Sequence, residues 1–148
     1  MNWKKVLRYV IILLPWFISA IIFRTDSNYY MSLNLPPFAP APWIFGIVWP
    51  ILYILIAYSI YKTYDYSDKN YKINFGINYV SNQLYTFFFF TIKSPVLALL
   101  DTLIVLGTCI LAFIHTRKID NKSSYYLIPY ILWNIFATIL SVSIYIMN

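Results

Sequence analysis

Residues 43–61 read WIFGIVWPILYILIAYSIY, a run of 19 residues without a charged side chain. A helix of about 20 mostly apolar residues crosses the hydrocarbon core of a membrane. Four further apolar stretches of similar length occupy most of the remaining sequence: 6–23, 73–92, 95–114 and 125–147. The sequence therefore predicts an all-α membrane protein, with residues 1–148 folded as one bundle of five transmembrane helices.

The amino-acid composition leaves little room for a water-soluble catalytic domain. Hydrophobic residues make up 61% of the chain and charged residues only 11%, whereas soluble domains carry roughly 25% charged residues. The chain has no glutamate, one histidine and one cysteine, Cys109, so the sequence shows neither a metal-site spacing nor a paired-carboxylate site. We therefore expect a binding protein that requires no cofactor or metal, rather than a conventional enzyme.

Basic residues are divided unequally between the two sides of the predicted bundle. With five spans, the N-terminus and the loops after the second and fourth helices share one side. That side holds nine basic residues: Lys4, Lys5, Arg8, Lys62, Lys69, Lys72, Arg117, Lys118 and Lys122. The other side holds two, Arg24 and Lys93. Because basic loops stay in the cytoplasm, we expect a cytoplasmic N-terminus and an external C-terminus. We therefore expect the basic residues behind the net charge of +6 to contact anionic lipid headgroups, and we expect no binding of nucleic acid.

The external loop, residues 24–42, contains four prolines within seven residues, Pro36, Pro37, Pro40 and Pro42. Proline fixes φ and removes a backbone donor, so this part of the loop should be stiff and extended. Two interpretations remain open. The loop is either a rigid connector on the membrane surface or a lid over a pocket.

Four polar residues lie inside predicted spans: Asn78, Asn82 and Gln83 in the third, and Asp101 in the fourth. Such residues are costly in hydrocarbon unless they are paired or face a cavity. The short connection between these two spans places Asn82 and Gln83 near the depth of Asp101, so we expect hydrogen bonds between them. The cluster either holds the helices together or binds a ligand.

Two sets of residues recur at helical spacing. Phe45, Trp49 and Tyr53 form an aromatic stripe on the second span. Trp133, Ala137 and Ser141 recur at the same spacing on the fifth span, which places a tryptophan beside small residues. Small residues let helices pack closely, but they also leave room for a flat ligand between aromatic faces.

Three segments together resemble the translocator proteins, also called tryptophan-rich sensory proteins, TspO/MBR proteins or peripheral-type benzodiazepine receptors. They are PFAPAPWIFGIVWPILY at 37–53, NYVSNQLYTFFF at 78–89 and LIPYILWNIFATILS at 127–141. The resemblance covers nearly the whole chain. It implies a five-helix bundle, usually dimeric, in a bacterial cytoplasmic membrane. It also implies a pocket under the first loop for porphyrins and other hydrophobic molecules.

The resemblance and the physical pattern together predict a set of ligand-binding residues: Pro40, Trp43, Phe45, Trp49, Tyr53, Asn78, Asn82, Gln83, Asp101, Trp133, Ala137 and Ser141. The expected ligand is a tetrapyrrole such as protoporphyrin IX. Residues 145–148 lack the basic residue that completes the cholesterol motif proposed for the family, so a sterol is the weaker expectation.

The resemblance also implies two alternative functions. Some bacterial members of the family are implicated in light-dependent porphyrin breakdown, and the tryptophans associated with that activity match Trp49 and Trp133, which would then be the catalytic residues. The other alternative is transport of tetrapyrroles or sterols. Transport is the weaker hypothesis, because the chain lacks the internal repeat that is typical of alternating-access carriers.

Overall fold

The computed structural model describes residues 3–148, which are helical apart from short connections and contain no strand. The helices are α1 (Trp3–Leu13), α2 (Ile18–Ile22), α3 (Ser27–Ser32), α4 (Pro42–Thr63), α5 (Lys69–Thr86), α6 (Pro95–Ile119), α7 (Asn121–Tyr125) and α8 (Ile128–Met147). Tighter 3-10 turns continue them at Leu14–Phe17 and Tyr64–Tyr66, and a wider π-helical turn continues α5 at Phe87–Thr91. The predicted all-α class is confirmed.

Four helical segments of the described chain are long and apolar enough to cross a membrane: Trp3–Ile22, Pro42–Tyr66, Pro95–Ile119 and Asn121–Met147. They correspond to the first, second, fourth and fifth predicted spans. The third predicted span, 73–92, is also helical, but it carries several buried polar residues and is not among the four. The structure thus supports four of the five spans by length and composition.

The first span is interrupted at Pro15, where a 3-10 turn separates α1 from α2. Groups of α5 bond to the backbone at this break. The side chain of Gln83 accepts a hydrogen bond from the Ser19 N–H at 2.8 Å and donates one to the Trp16 carbonyl at 3.3 Å. The Tyr79 hydroxyl donates to the Pro15 carbonyl at 3.0 Å. Backbone groups released by a break inside a membrane need such partners, so the contacts with α5 stabilise the interruption of the first span.

A tight turn joins the end of the π-helical segment to α6. Lys93 lies in the left-handed region with φ 57°. Ser94 caps α6 through a hydrogen bond from the Leu97 N–H, and Pro95 is the first helical residue; serine and proline are favoured at these two positions.

The expected hydrogen bonds from Asn82 and Gln83 to Asp101 are absent from the described residues, and that prediction is wrong. Ser81 instead donates to Asp101. Successive residues of a helix point about 100° apart, so Ser81 faces α6 while Asn82 and Gln83 turn towards the other helices.

Several helix ends differ from the hydropathy-based bounds. The loop predicted over residues 24–42 contains a short helix, α3, and α4 begins at Pro42. α5 begins at Lys69, capped by Asp68, and α6 continues to Ile119 instead of residue 114. These differences arise because polar residues extend a helix beyond the apolar window that marks its membrane-crossing part.

Two clusters of buried apolar side chains form the core. One includes Ile56, Tyr71 and Cys109 and lies among α4, α5 and α6. The other includes Tyr30 of the loop, Phe89 and Leu140. α5 packs along α6, and α6 packs along α8. A cavity with residues of the loop, α4, α5 and α8 in its walls lies where the two clusters meet.

Candidate ligand pocket

The main chamber has a volume of about 290 Å³. Its walls come from α2, the external loop, α4, the end of α5 with its π-helical turn, and α8. The lining residues are Phe17, Ser19, Ala20, Thr25, Ser27, Tyr30, Pro42, Phe45, Gly46, Trp49, Pro50, Tyr53, Asn82, Tyr85, Thr86, Phe89, Phe90, Leu140 and Ile144. The chamber is therefore apolar and aromatic, with few polar groups, as is usual for small-molecule sites.

A smaller chamber of about 40 Å³ adjoins it. The two chambers share five lining residues: Phe45, Trp49, Asn82, Tyr85 and Leu140. The smaller chamber adds Thr102, Val105, Trp133, Asn134 and Ala137. These shared walls make the two chambers parts of one site that reaches from the loop to the face of α8.

Aromatic rings meet at the boundary between the chambers. Trp49 and Trp133 lie edge to face, with ring centroids 6.5 Å apart and an interplanar angle of 87°. Phe45 meets Trp133 in the same way at 5.9 Å. Trp49 and Tyr53 are 5.6 Å apart with an angle of 31°. The stripe predicted on the second span therefore forms one wall, and Trp133 stands across from it.

Tyr85 and Phe89 provide a flat surface on another wall. Their rings are stacked with centroids 5.7 Å apart and an interplanar angle of 7°. Tyr85 lies near the end of α5 and Phe89 in the π-helical turn that follows it, and neither is among the predicted site residues. Helical spacing continued from Asn82 to Tyr85 and Phe89 is the signal that could have placed them in the site.

The polar centre of the pocket is Asn82. Its side-chain oxygen accepts a hydrogen bond from the Tyr53 hydroxyl at 3.1 Å, and its amide donates to the Tyr130 hydroxyl at 3.3 Å. Tyr130 in turn donates to the Asn78 side chain at 3.1 Å. This buried chain fixes the orientation of Asn82 at the chamber wall.

Asn78 lies behind this chain and does not line either chamber. It is completely buried and donates to the Val105 carbonyl at 3.1 Å and to the Thr108 hydroxyl at 2.9 Å. Its contacts join α5 to α6. Asn78 therefore positions Tyr130 and stabilises the bundle.

The indole N–H of Trp133 is buried and has no hydrogen-bond partner within residues 3–148. Indole is a donor only, and a buried donor usually has a partner. Because Trp133 lines the smaller chamber, an acceptor atom of a bound molecule would satisfy this group.

The external loop covers one end of the main chamber. Thr25, Ser27 and Tyr30 are part of the lining, and Tyr30 is buried, with its hydroxyl donating to the Pro40 carbonyl at 3.0 Å. Of the two interpretations of the loop, this arrangement favours a lid. Pro40 contributes through its carbonyl and does not line a chamber.

Two further contacts fix the loop. Asp26 accepts a hydrogen bond from the Tyr29 N–H at 2.9 Å and forms an ion pair with Lys93 at 3.2 Å. The Tyr29 N–H and then Lys93 lower the pKa of the Asp26 carboxyl. At the other end of the loop, Asn34 and the side chain of Asn148 exchange hydrogen bonds of 2.9 and 3.1 Å.

The other predicted site residues lie outside the chamber walls. Gln83 bonds to the bent first span, as described above, and Trp43 is 67% exposed on the surface of the bundle. Asp101 is buried against Ser81, with one carboxyl oxygen unpartnered within residues 3–148. Ser141 is buried within α8. Helical spacing placed Ser141 in line with Trp133, but the chamber wall on α8 passes through Ala137 and Leu140.

Comparison with known proteins gives a consistent result. A family model described as the TspO/MBR family matches residues 8–147. A tryptophan-rich protein TspO of Bacillus cereus is 35% identical over 136 residues, which cover 90% of this chain and 89% of that protein. An uncharacterized membrane protein, YtaB of Bacillus subtilis, is 39% identical over 131 residues, covering 86% and 84%. Protein CrtK of Rhodobacter capsulatus is 27% identical over 133 residues, covering 84% and 81%.

Proposed function

The chain belongs to the TspO/MBR family of membrane proteins, and we propose that it binds porphyrins and other flat hydrophobic molecules in the pocket under the external loop. The observation that carries this proposal is the composition of the pocket walls. Aromatic rings from α4, α5 and α8 surround two adjoining chambers, and the buried N–H of Trp133 lacks a partner. A flat ring system with acceptor atoms at its edge complements both features.

The size of the pocket bears on how such a ligand would enter. The main chamber, at about 290 Å³, is near the lower end of the roughly 300 to 1,000 Å³ typical of ligand sites. We therefore expect the lid to move outwards when a tetrapyrrole binds. This movement would withdraw Tyr30 from the cluster that it forms with Phe89 and Leu140 and would break the exposed ion pair between Asp26 and Lys93.

We also propose that α5 with its π-helical turn is the remaining membrane span, the third in chain order. Its polar residues, including Asn74, Asn78 and Asn82, are buried against other helices, whereas Ile73, Ile77 and Val80 are about half exposed on its outer face. The surface offered to lipid is thus apolar although the helix as a whole is polar. Five spans place the N-terminus in the cytoplasm and the C-terminus outside, by the distribution of basic residues.

Porphyrin binding is tested by titrating the purified protein with protoporphyrin IX and following quenching of tryptophan fluorescence. We expect Trp49→Phe and Trp133→Phe to weaken binding about two- to tenfold, since each loses aromatic contact area and Trp133 also loses its donor. Trp43→Phe is the matched control, because Trp43 is exposed and outside both chambers. Saturable binding of unchanged affinity in both pocket variants would show that the ligand binds elsewhere.

Light-dependent porphyrin breakdown is a second candidate, favoured by the edge-to-face contact of Trp49 and Trp133 at the chamber boundary. The protein would contribute oxidisable indoles and a confined space, and the porphyrin would contribute the photochemistry. Absorbance of the illuminated complex in oxygenated buffer tests this activity. If the complex bleaches no faster than free porphyrin, and no distinct product appears, binding without breakdown is the function.

A further inference from the structure

A separate groove of about 580 Å³ lies between α1, the end of α4 and α5. Its lining includes Ile12, Pro15, Trp16, Phe75 and Gly76, and none of its lining residues lines either ligand chamber. Trp16 is buried and packs against Tyr53 of the main chamber, with ring centroids 5.6 Å apart. The groove is therefore a second site, divided from the pocket by aromatic packing.

The groove extends over about two-thirds of the hydrocarbon depth of one membrane leaflet. Its lining runs along α1 from Arg8 to Pro15, and along α5 from Lys72 to Tyr79. At a rise of 1.5 Å per residue, each wall is about 10 Å long, compared with about 15 Å for half of the hydrocarbon core. Away from the charged end the walls are mainly apolar. An acyl chain can lie along such a surface.

Charged groups lie at one end of the groove. Arg8 forms two hydrogen bonds to the carboxylate of Asp65, at 2.6 and 2.7 Å. A guanidinium carries five N–H donors, so three remain for another acceptor. The Lys72 ammonium lies 4.6 Å from the centroid of the Tyr64 ring and forms no ion pair with any residue from 3 to 148.

More basic residues surround this end. Lys4 and Lys5 lie one turn before Arg8 on α1, and Lys69 lies three residues before Lys72 on α5. These five basic residues are accompanied by two acidic residues, Asp65 and Asp68, so this end of the groove has three positive charges in excess. By the distribution of basic residues this end faces the cytoplasmic leaflet, where anionic lipids attract such clusters.

We propose that the groove binds one anionic phospholipid, with an acyl chain between α1 and α5 and the phosphate at Lys72 and the free donors of Arg8. The excess positive charge favours a lipid with a net negative headgroup over a zwitterionic one of the same chain length. The apolar walls and their depth explain why a whole lipid, rather than a soluble anion, fits the site. The lipid would fill the gap beside the bent first span and hold α1 against α5.

Two substitutions test the two parts of the site. Lys72→Gln removes a charge that no residue from 3 to 148 pairs. Gly76→Leu places a large side chain at the groove wall, since Gly76 is part of the lining and a Cβ added there meets no atom within 4 Å. Lys118→Gln and Gly107→Leu are the matched controls. Gly107 is equally open, and neither control residue lines the groove.

The experiment is native mass spectrometry of the purified full chain in detergent, titrated with phosphatidylglycerol or with phosphatidylcholine of the same acyl chains. We expect wild type to retain one phosphatidylglycerol in preference to phosphatidylcholine. Lys72→Gln should bind it about fivefold more weakly, the equivalent of roughly 1 kcal/mol for one basic residue at an anionic surface. Gly76→Leu should lose the site, and both controls should match wild type.

Equal retention of the two lipids by wild type would overturn the proposal, as would titrations in which Lys72→Gln and Gly76→Leu match their controls. The spectra also report the oligomeric state. A Gly76→Leu variant with a changed oligomeric state and unchanged lipid retention would make the groove an interface between copies of the chain, and the lipid assignment wrong. Porphyrin binding plays no part in any of these outcomes.

Discussion

Asn82 and Gln83 are neighbours in α5, but their side chains have different roles. Asn82 lines both chambers and is held by Tyr53 and Tyr130. Gln83 instead bonds to the backbone of the first span where it bends. Sequence identifies both as costly polar residues in a span. Their directions around the helix depend on which neighbours pack on each side, and that requires the tertiary structure.

Replacing each amide with leucine separates the two roles. Gln83→Leu leaves the Ser19 N–H and the Trp16 carbonyl without partners, so we expect a loss of stability of about 1 to 3 kcal/mol with little change in porphyrin affinity. Asn82→Leu should lower both stability and affinity. Thermal unfolding in detergent and porphyrin titration measure the two quantities. A Gln83→Leu protein of normal stability and reduced affinity would place Gln83 in the ligand site after all.

The external loop and its short helix α3 form one end of the chamber wall. The position of the loop and the stiffness of its proline-rich part were predictable from the sequence. The attachment points were not, because Asp26 and Lys93 are 67 positions apart in sequence and the alternation of spans only places them on the same side. The ion pair between them fastens the lid to the turn before α6.

Asp26→Asn removes the negative charge of this ion pair while asparagine can still cap α3. The pair is exposed, and exposed pairs contribute little, so we expect porphyrin to dissociate only a few-fold faster. Asp68→Asn, a cap at the start of α5, is the matched control. Stopped-flow release of porphyrin measures the rates. Equal rates in the two variants would show that the ion pair does not retain the lid.

The pH dependence of the lid follows from the direction of the shift at Asp26. Hydrogen bonding from Tyr29 and the charge of Lys93 lower the pKa of this carboxyl. A lowered pKa means that the ion pair is present above the usual aspartate value, about 3.9, and is lost only as pH falls through the lowered value. The Asp26 contribution to porphyrin release should therefore stay constant between about pH 5 and 8. A difference between wild type and Asp26→Asn that disappears on going from pH 8 to pH 5 would contradict this assignment.

The helices differ in how far sequence could specify them. α6 was predictable because an apolar run follows a serine cap and a first-turn proline. The break at Pro15 was not, because its stability depends on Gln83 and Tyr79, far along the chain. In α5, polar residues obscure an apolar outer face that becomes visible only when the neighbouring helices are in place.

At the scale of the whole molecule, the number of membrane crossings decides whether the two ends share a side. Five crossings separate the ends, and four bring them together. We expect an N-terminal fluorescent reporter to be active in the cytoplasm and a C-terminal alkaline phosphatase to be active outside. A fusion after residue 66 serves as the internal reference for the cytoplasmic side. If the C-terminal fusion is stably expressed but has no phosphatase activity, α5 does not cross the membrane.

The molecule has two distinct apolar sites: the pocket formed by the two adjoining chambers, and the groove beside α1. One is enclosed by aromatic rings and a lid, and the other is a groove with basic residues at one end. The sequence predicted the first through aromatic stripes and family motifs. The second was hidden, because Arg8, Lys72 and Gly76 come together only when α1 packs against α4 and lies across the groove from α5.

The left-handed backbone at Lys93 has an evolutionary consequence. An L-residue other than glycine loses roughly 1 to 2 kcal/mol in this conformation, so glycine at position 93 would give a more stable hairpin. Only a long cationic side chain, however, reaches Asp26 from there. Selection of random variants for heat resistance should thus enrich Lys93→Gly, and selection for retention of the proposed ligand should modestly deplete it. The lysine at position 93 thus gives up some backbone stability for the ion pair that fastens the loop to this turn.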